Sequence, residues 1–260
     1  MQVNRKTPGC FVFLLDQSAS MSQPMLGAEK KTKAQALADI VNELLQSIVM
    51  RSFKSRNEPP RHYFDIGLIG YGTGARPLFS GALAGRLLAS VAEVAAGKIR
   101  VDRDADGHVQ PIWFDPVASG VTHMCAALDL AGKIVEGWTN SHPESGPPII
   151  VNITDGYATD GDPVPVSRRI TSGGTNHGST LLFNIALSSS EATTVAYPST
   201  DHALTDERAK ALFQMSSPLP PLMRQYAAEL GADVQDNARG FVYNADLEAM
   251  IQAIDVGTRT

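Results

Sequence analysis

The sequence predicts a doubly wound α/β domain, a mostly parallel sheet with helices on both faces. Two short apolar runs close on a carboxylate: residues 11–15 before Asp16, and residues 147–153 before Thr154, Asp155 and Gly156. Their length and near-continuous apolarity suit strands buried on both faces. Segments with apolar residues at helical spacing lie between such runs, and strand–helix alternation implies parallel pairing. The length agrees: 260 residues, 43% hydrophobic and 19% charged, can bury one substantial core, so 1–260 is read as a single domain.

Taken in order, residues 34–53 place Leu37, Ile40, Val41, Leu44, Leu45, Ile48 and Val49 on one wide helical face. A polar, proline-containing stretch ends that helix, and residues 63–71 then alternate small and large side chains as a second strand. Gly72 to Ala75 turns into a short antiparallel edge strand at 76–79. Residues 83–94 show helical spacing through Leu83, Leu87, Leu88, Val91 and Val94. An insertion follows at about 98–118, where Asp102, Asp104, Asp106 and Gly107 match the opening of a calcium loop. Position twelve of that loop is Trp113 in place of the bidentate glutamate, and both flanks alternate, so a β-hairpin with an acidic turn is expected.

Residues 122–138 form a helix with Cys125, Leu128, Val135 and Trp138 inward. After Asp155 comes a long irregular stretch carrying Asp160 and Asp162, then a short helix and a glycine-rich turn at 172–175. A buried strand at 180–187, helices at 206–215 and 221–230, a strand at 240–244 and a closing helix capped by Asn244 complete the chain.

The formal charge of −5 and the lack of a Lys/Arg stripe argue against a nucleic-acid platform, which must neutralise phosphates. No run approaches the length of a membrane span or a signal sequence. Cys10 and Cys125 read as small buried apolar residues of a reducing compartment, which makes a cytoplasmic location the expectation.

The chemistry concentrates in three segments. Asp16-x-Ser18-x-Ser20 follows the first strand, Thr122 sits where a loop becomes a helix, and Asp155 ends the second apolar run. Hydroxyl and carboxylate oxygens at strand ends suit a hard divalent cation, whereas His and Cys clusters that would suggest zinc are absent around them. Singly, each has a plainer role: Ser18, Ser20 or Thr122 as helix caps, Asp155-Gly156 as a turn.

Taken together, these five residues resemble the metal-ion-dependent adhesion site (MIDAS) of von Willebrand factor A (vWA) domains, in residue type, chain order and kind of element. The resemblance implies a six-stranded, Rossmann-like sheet with one antiparallel edge strand. By it, Ser18, Ser20 and Thr122 bind Mg²⁺ directly, with Mn²⁺ or Ca²⁺ as alternatives, while Asp16 and Asp155 bind directly or through water. One position stays open for an Asp or Glu of a protein partner, and two carboxylates leave the loaded site formally neutral. Gln17, Met21, His123, Gly156, Tyr157 and Asp160 are candidate partner contacts.

Segments 154–156, 159–162, 181–184, 212–217, 239–246 and 255–259 look like a bacterial cytoplasmic subgroup related to tellurium-resistance TerY-type proteins. That implies a scaffold in signalling, stress response or defence, beside PP2C-type phosphatases and Ser/Thr kinases. The alternative is an adaptor of a AAA+ ATPase of the MoxR or chelatase type. A Mg²⁺-dependent hydrolase is the third reading, although no GxxxxGK, HExxH or GxSxG motif is present, and the chain is expected not to be an enzyme.

Overall fold

The computed structural model describes residues 3–259 apart from 56, 57, 104–106, 108, 189–192 and 205. The strands are β1 (Gly9–Asp16), β2 (Phe64–Gly72), β3 (Gly74–Pro77), β4 (Ala89–Ser90), β5 (Arg100–Arg103), β6 (Val109–Ile112), β7 (Ile149–Thr154), β8 (Gly174–Thr175), β9 (Gly178–Ser179), β10 (Leu181–Leu187), β11 (Val195–Ala196) and β12 (Phe241–Ala245). The helices are α1 (Lys33–Arg51), α2 (Val91–Ala96), α3 (Met124–Ser141), α4 (Pro163–Thr171), α5 (Glu207–Met215), α6 (Pro221–Glu229) and α7 (Leu247–Gly257).

The main sheet runs β11-β12-β10-β7-β1-β2-β3, with β4 also on β2. Its five long strands, β12, β10, β7, β1 and β2, are parallel. The antiparallel β3 makes the expected sixth strand, and the two-residue β4 and β11 extend the sheet beyond it.

Strand β1 shows why the sequence folds into layers. Successive side chains of a strand point to opposite faces. Phe11, Phe13 and Leu15 therefore enter one core, with Leu37, Val41 and Leu45 of α1 and Met250 and Ile254 of α7. Cys10, Val12 and Leu14 enter the other, with Leu128 and Val135 of α3 and Leu212 of α5. Every residue of β1 and β7 is buried, as expected of central strands covered on both sides. A polar chain also crosses the interior: the Tyr71 hydroxyl donates to Asn152 Oδ1 (2.7 Å), Asn152 Nδ2 to Asn184 Oδ1 (2.9 Å), and Asn184 Nδ2 to Ser216 Oγ (2.9 Å). Each buried amide is satisfied by the next, which is the condition for tolerating it.

Two elements differ from the sequence reading. Residues 83–94 are not one helix: a 3-10 turn at Gly81–Leu83 and strand β4 precede α2, which begins at Val91. Gly85 at φ +80° breaks the helical path, and a Ser90–Glu93 capping box starts α2. The closing helix is capped by Asp246, whose carboxylate accepts from Ala249 N (2.9 Å), whereas Asn244 lies inside β12 at φ +54°.

The insertion is the expected hairpin, β5 antiparallel to β6. It docks through Trp113, whose amide donates to Asn42 Oδ1 (2.9 Å) and whose indole donates to Val94 O (2.6 Å), while Asn42 Nδ2 donates to Phe114 O (3.2 Å). Asp104 and Asp106 of the calcium-loop match lie outside the described residues. The glycine-rich turn after α4 forms the small β8–β9 hairpin.

Candidate functional site

Strands β1 and β7 are neighbours, and the chain leaves β1 toward β2 on one side and fills β7 and β10 on the other. Asp16 and Asp155 thus lie at the carboxyl ends of the two strands flanking the point where strand order reverses, where open α/β sheets hold their ligands. A 3-10 turn at Ala19–Ser22 brings Ser18 and Ser20 across from Asp155.

The five predicted residues converge here. Ser20 Oγ donates to Asp155 Oδ1 (2.6 Å) and lies 3.0 Å from Ser18 Oγ. Asp16 Oδ1 accepts from Ser18 N (2.8 Å), and Asp16 Oδ2 accepts from Thr154 Oγ1 (2.6 Å). Thr122 closes the ring: a Cβ placed on Gly156 would lie 3.2 Å from Thr122 Oγ1 and 3.9 Å from Asp16 Oδ2. Glycine at 156 leaves this space between the two oxygens clear. Backbone bonds fix the three loops to one another, Ser119 N to Gln17 O (2.6 Å), Ala19 N to Gly120 O (3.2 Å) and Thr159 N to Thr122 O (2.9 Å).

This donor set of three hydroxyls and two carboxylates fits a hard divalent cation. Among the described residues no cluster of three or more His, Cys, Asp or Glu forms an alternative metal site. Asp16 is 1% exposed, and burial pushes its carboxyl above the usual range, with the charge of Asp155 adding to the rise while hydrogen bonds from Thr154 and Ser18 oppose it. A raised folded-state value means that the native state holds the proton longer than the unfolded chain does. The metal-free protein therefore loses stability at this residue as pH rises through its folded value. In EDTA, the melting-temperature difference between D16N and wild type is expected to shift in favour of D16N between about pH 4 and pH 7. A difference that does not change with pH would contradict this.

Two cations absent from the sequence reading border the site. Lys33, the first residue of α1, is 1% exposed, and its Nζ lies 2.7 Å from Asp155 Oδ2 and 3.5 Å from Gln23 Oε1. Arg208 of α5 donates to the Asp155 carbonyl (2.5 Å) and lies over the exposed Tyr157 ring, 5.4 Å from its centre. No spacing signal reveals either residue. A lysine and an arginine in the first turn of amphipathic helices read as solvated charges until the helices are placed on the sheet.

The candidate partner contacts divide. Tyr157 is exposed, and Gly156 and His123 are partly so; His123 Nδ1 accepts from Gly74 N (2.8 Å). Met21 is fully buried in the core and Gln17 is 5% exposed, so neither offers a surface, because the 3-10 turn directs Met21 inward and Gln17 lies under Arg76. Asp160 has both carboxylate oxygens on the first amides of α3, Cys125 N (3.1 Å) and Ala126 N (2.9 Å). It caps the helix that Thr122 leads into, and Asp162 caps α4 through Val164 N (3.0 Å). Helix α1 begins only at Lys33, and a Thr32–Gln35 capping box closes its first turn.

Cys10 and Cys125 are free and buried, and burial pushes both thiols up, Cys125 to about 12. Among the described residues no helix is long and apolar enough to cross a membrane.

The von Willebrand factor type A domain profile matches residues 11–158, which include all five ligand candidates. Among solved structures, proximal thread matrix protein 1 from the mussel byssus is 14% identical over 82% of this chain and 42% of its own, with a TM-score of 0.46. A second structure of that protein, described with a zinc-occupied MIDAS motif, is 16% identical with the same coverage and TM-score. Manganese-loaded TRAP protein of Plasmodium vivax is 17% identical over 71% of this chain and 59% of its own, with a TM-score of 0.38. The chain thus spans less than two thirds of each of these neighbours. No curated protein matches it significantly.

Proposed function

Because this chain belongs to the von Willebrand factor type A domain family, we propose that it is a metal-dependent protein-binding module of the bacterial cytoplasm, and not an enzyme. The observation that carries this proposal is the convergence of Asp16, Ser18, Ser20, Thr122 and Asp155 at one strand-end crevice. Ser18, Ser20 and Thr122 supply hydroxyl oxygens to Mg²⁺, or to Mn²⁺ or Ca²⁺, and Asp16 and Asp155 supply negative charge. A cation held there would supply the attraction for an Asp or Glu side chain of the partner. Thr154 and the Ser18 amide hold the Asp16 carboxylate in place, as supporting groups do for metal ligands. Exposed Tyr157 and the adjoining Arg208 form the rim against which a partner rests.

Two settings supply such a partner: a PP2C-type phosphatase with a Ser/Thr kinase, in which the chain is a signalling, stress or defence scaffold, or a AAA+ ATPase to which it is an adaptor. One experiment addresses both. The whole chain is used as bait in native lysate with Mg²⁺, with EDTA, and as Asp16→Ala with Mg²⁺, and captured proteins are read by mass spectrometry. Asp16 is chosen because its removal leaves the Lys33–Asp155 pair intact. Partners retained only by wild type in Mg²⁺ are the expected result, and their identity names the setting. Partners indifferent to both EDTA and the substitution would refute metal-dependent binding.

A further inference from the structure

The two oxygens of Asp155 face different charges. Oδ1 accepts from Ser20 in the hydroxyl cluster, and Oδ2 holds the Lys33 ammonium at 2.7 Å, with both side chains 1% exposed. Burying an ammonium costs several kcal/mol before its partner compensates. The start of a helix is also the least favourable end for a cation, because the macrodipole is positive there. Lys33 is nonetheless anchored in place: its amide donates to Gln23 O (2.9 Å), and Nζ reaches Gln23 Oε1 as well as Asp155. An uncharged donor at this position would avoid both penalties but would leave the Asp155 carboxylate without a counter-charge. What the charge adds is electrostatic. Two carboxylates balance a divalent ion, and Lys33 raises the loaded site from formally neutral to +1. Arg208, on the Asp155 carbonyl, adds to the same field.

Resting on the metal-site reading above, we propose that Lys33 is a fixed counter-cation that makes the site selective for an anionic partner. It competes with the metal for one carboxylate and so weakens metal binding alone. A partner carboxylate then offsets the excess charge, and metal and partner bind with positive coupling, each strengthening the other by the same factor. The occupant this favours is an acidic side chain of another protein. Lys33 acts through Asp155 and is a positioning and charge-setting residue.

The test is a Mn²⁺ titration of the whole chain, read by the electron paramagnetic resonance signal of free Mn²⁺, with and without acetate as a carboxylate probe. Lys33→Met and Lys33→Gln are expected to bind Mn²⁺ at least about tenfold more tightly than wild type, because a like charge beside the ion has been removed. Lys33→Arg, which keeps the charge, is expected to stay near wild type. Acetate should tighten Mn²⁺ binding in wild type and do so less in the uncharged variants. Lys33→Gln retains an N–H donor toward Asp155, so loss of fold in Lys33→Met does not remove the test. If wild type binds Mn²⁺ and the uncharged variants bind it equally or more weakly, the counter-cation proposal is overturned and the metal site stands. Uncharged variants that stay unfolded even with Mn²⁺ would make Lys33 a folding residue, which also overturns it. If neither wild type nor any variant binds Mn²⁺ at millimolar concentration, the proposed metal-dependent function fails, and this proposal with it.

Discussion

Asp155→Ala is expected to cause two separable losses, of metal binding and of fold stability. It removes a ligand of the proposed metal and strands the Lys33 ammonium in a site 1% open to solvent. Breaking a buried ion pair from one side costs about 3–5 kcal/mol, because the remaining charge has lost its counter-charge and is shut away from water. For a domain of this size that corresponds to a fall in melting temperature of roughly 10 °C. Relief of the repulsion from Asp155 that raises the Asp16 carboxyl is a smaller, opposing effect, the weakest of the causes acting on that group. The double variant Lys33→Met/Asp155→Ala removes both charges and should regain most of the stability while still failing to bind Mn²⁺. Thermal melts of wild type, both single variants and the double in EDTA form a complete cycle. A coupling energy indistinguishable from zero would mean that the pair contributes nothing to the fold.

Trp113→Ala is expected to destabilise the protein by a similar amount without touching the metal site. The indole is 2% exposed, fills the core between α1 and α2, and donates to Val94 O, while the Trp113 amide meets Asn42. Truncating a buried tryptophan costs about 3–5 kcal/mol through lost burial and the cavity left behind. The Ser119–Gln17 and Ala19–Gly120 backbone bonds hold the ligand loops independently of the hairpin, so Mn²⁺ affinity of the folded protein should be unchanged. Equilibrium denaturation alongside a Mn²⁺ titration checks both parts. A weakened Mn²⁺ affinity would show that the insertion shapes the site.

Much of the architecture and all five ligand candidates were legible because their signals are local. The apolar runs of β1 and β7 mark central strands, and Asp16-x-Ser18-x-Ser20, Thr122 and Asp155 follow strand ends or lead into a helix. The misreadings were also local ambiguities. Residues 83–94 carry helical spacing that Gly85 interrupts, and Asp246, two residues past Asn244, is the better cap. Met21 looked available beside the motif until the 3-10 turn carried it into the core.

By itself, then, the sequence determined the layered α/β plan and the oxygen-rich chemistry of the strand ends, because periodicity and adjacency along the chain are enough to encode both. Only the tertiary structure decided the charge of the site and the partners of its buried polar groups. Lys33 meets Asp155 across 122 positions, Arg208 across 53, and Asn152 meets Asn184 across 32. Such pairs depend on which strands and helix ends become neighbours, and a polar residue in an apolar segment does not announce its partner until the sheet order is fixed.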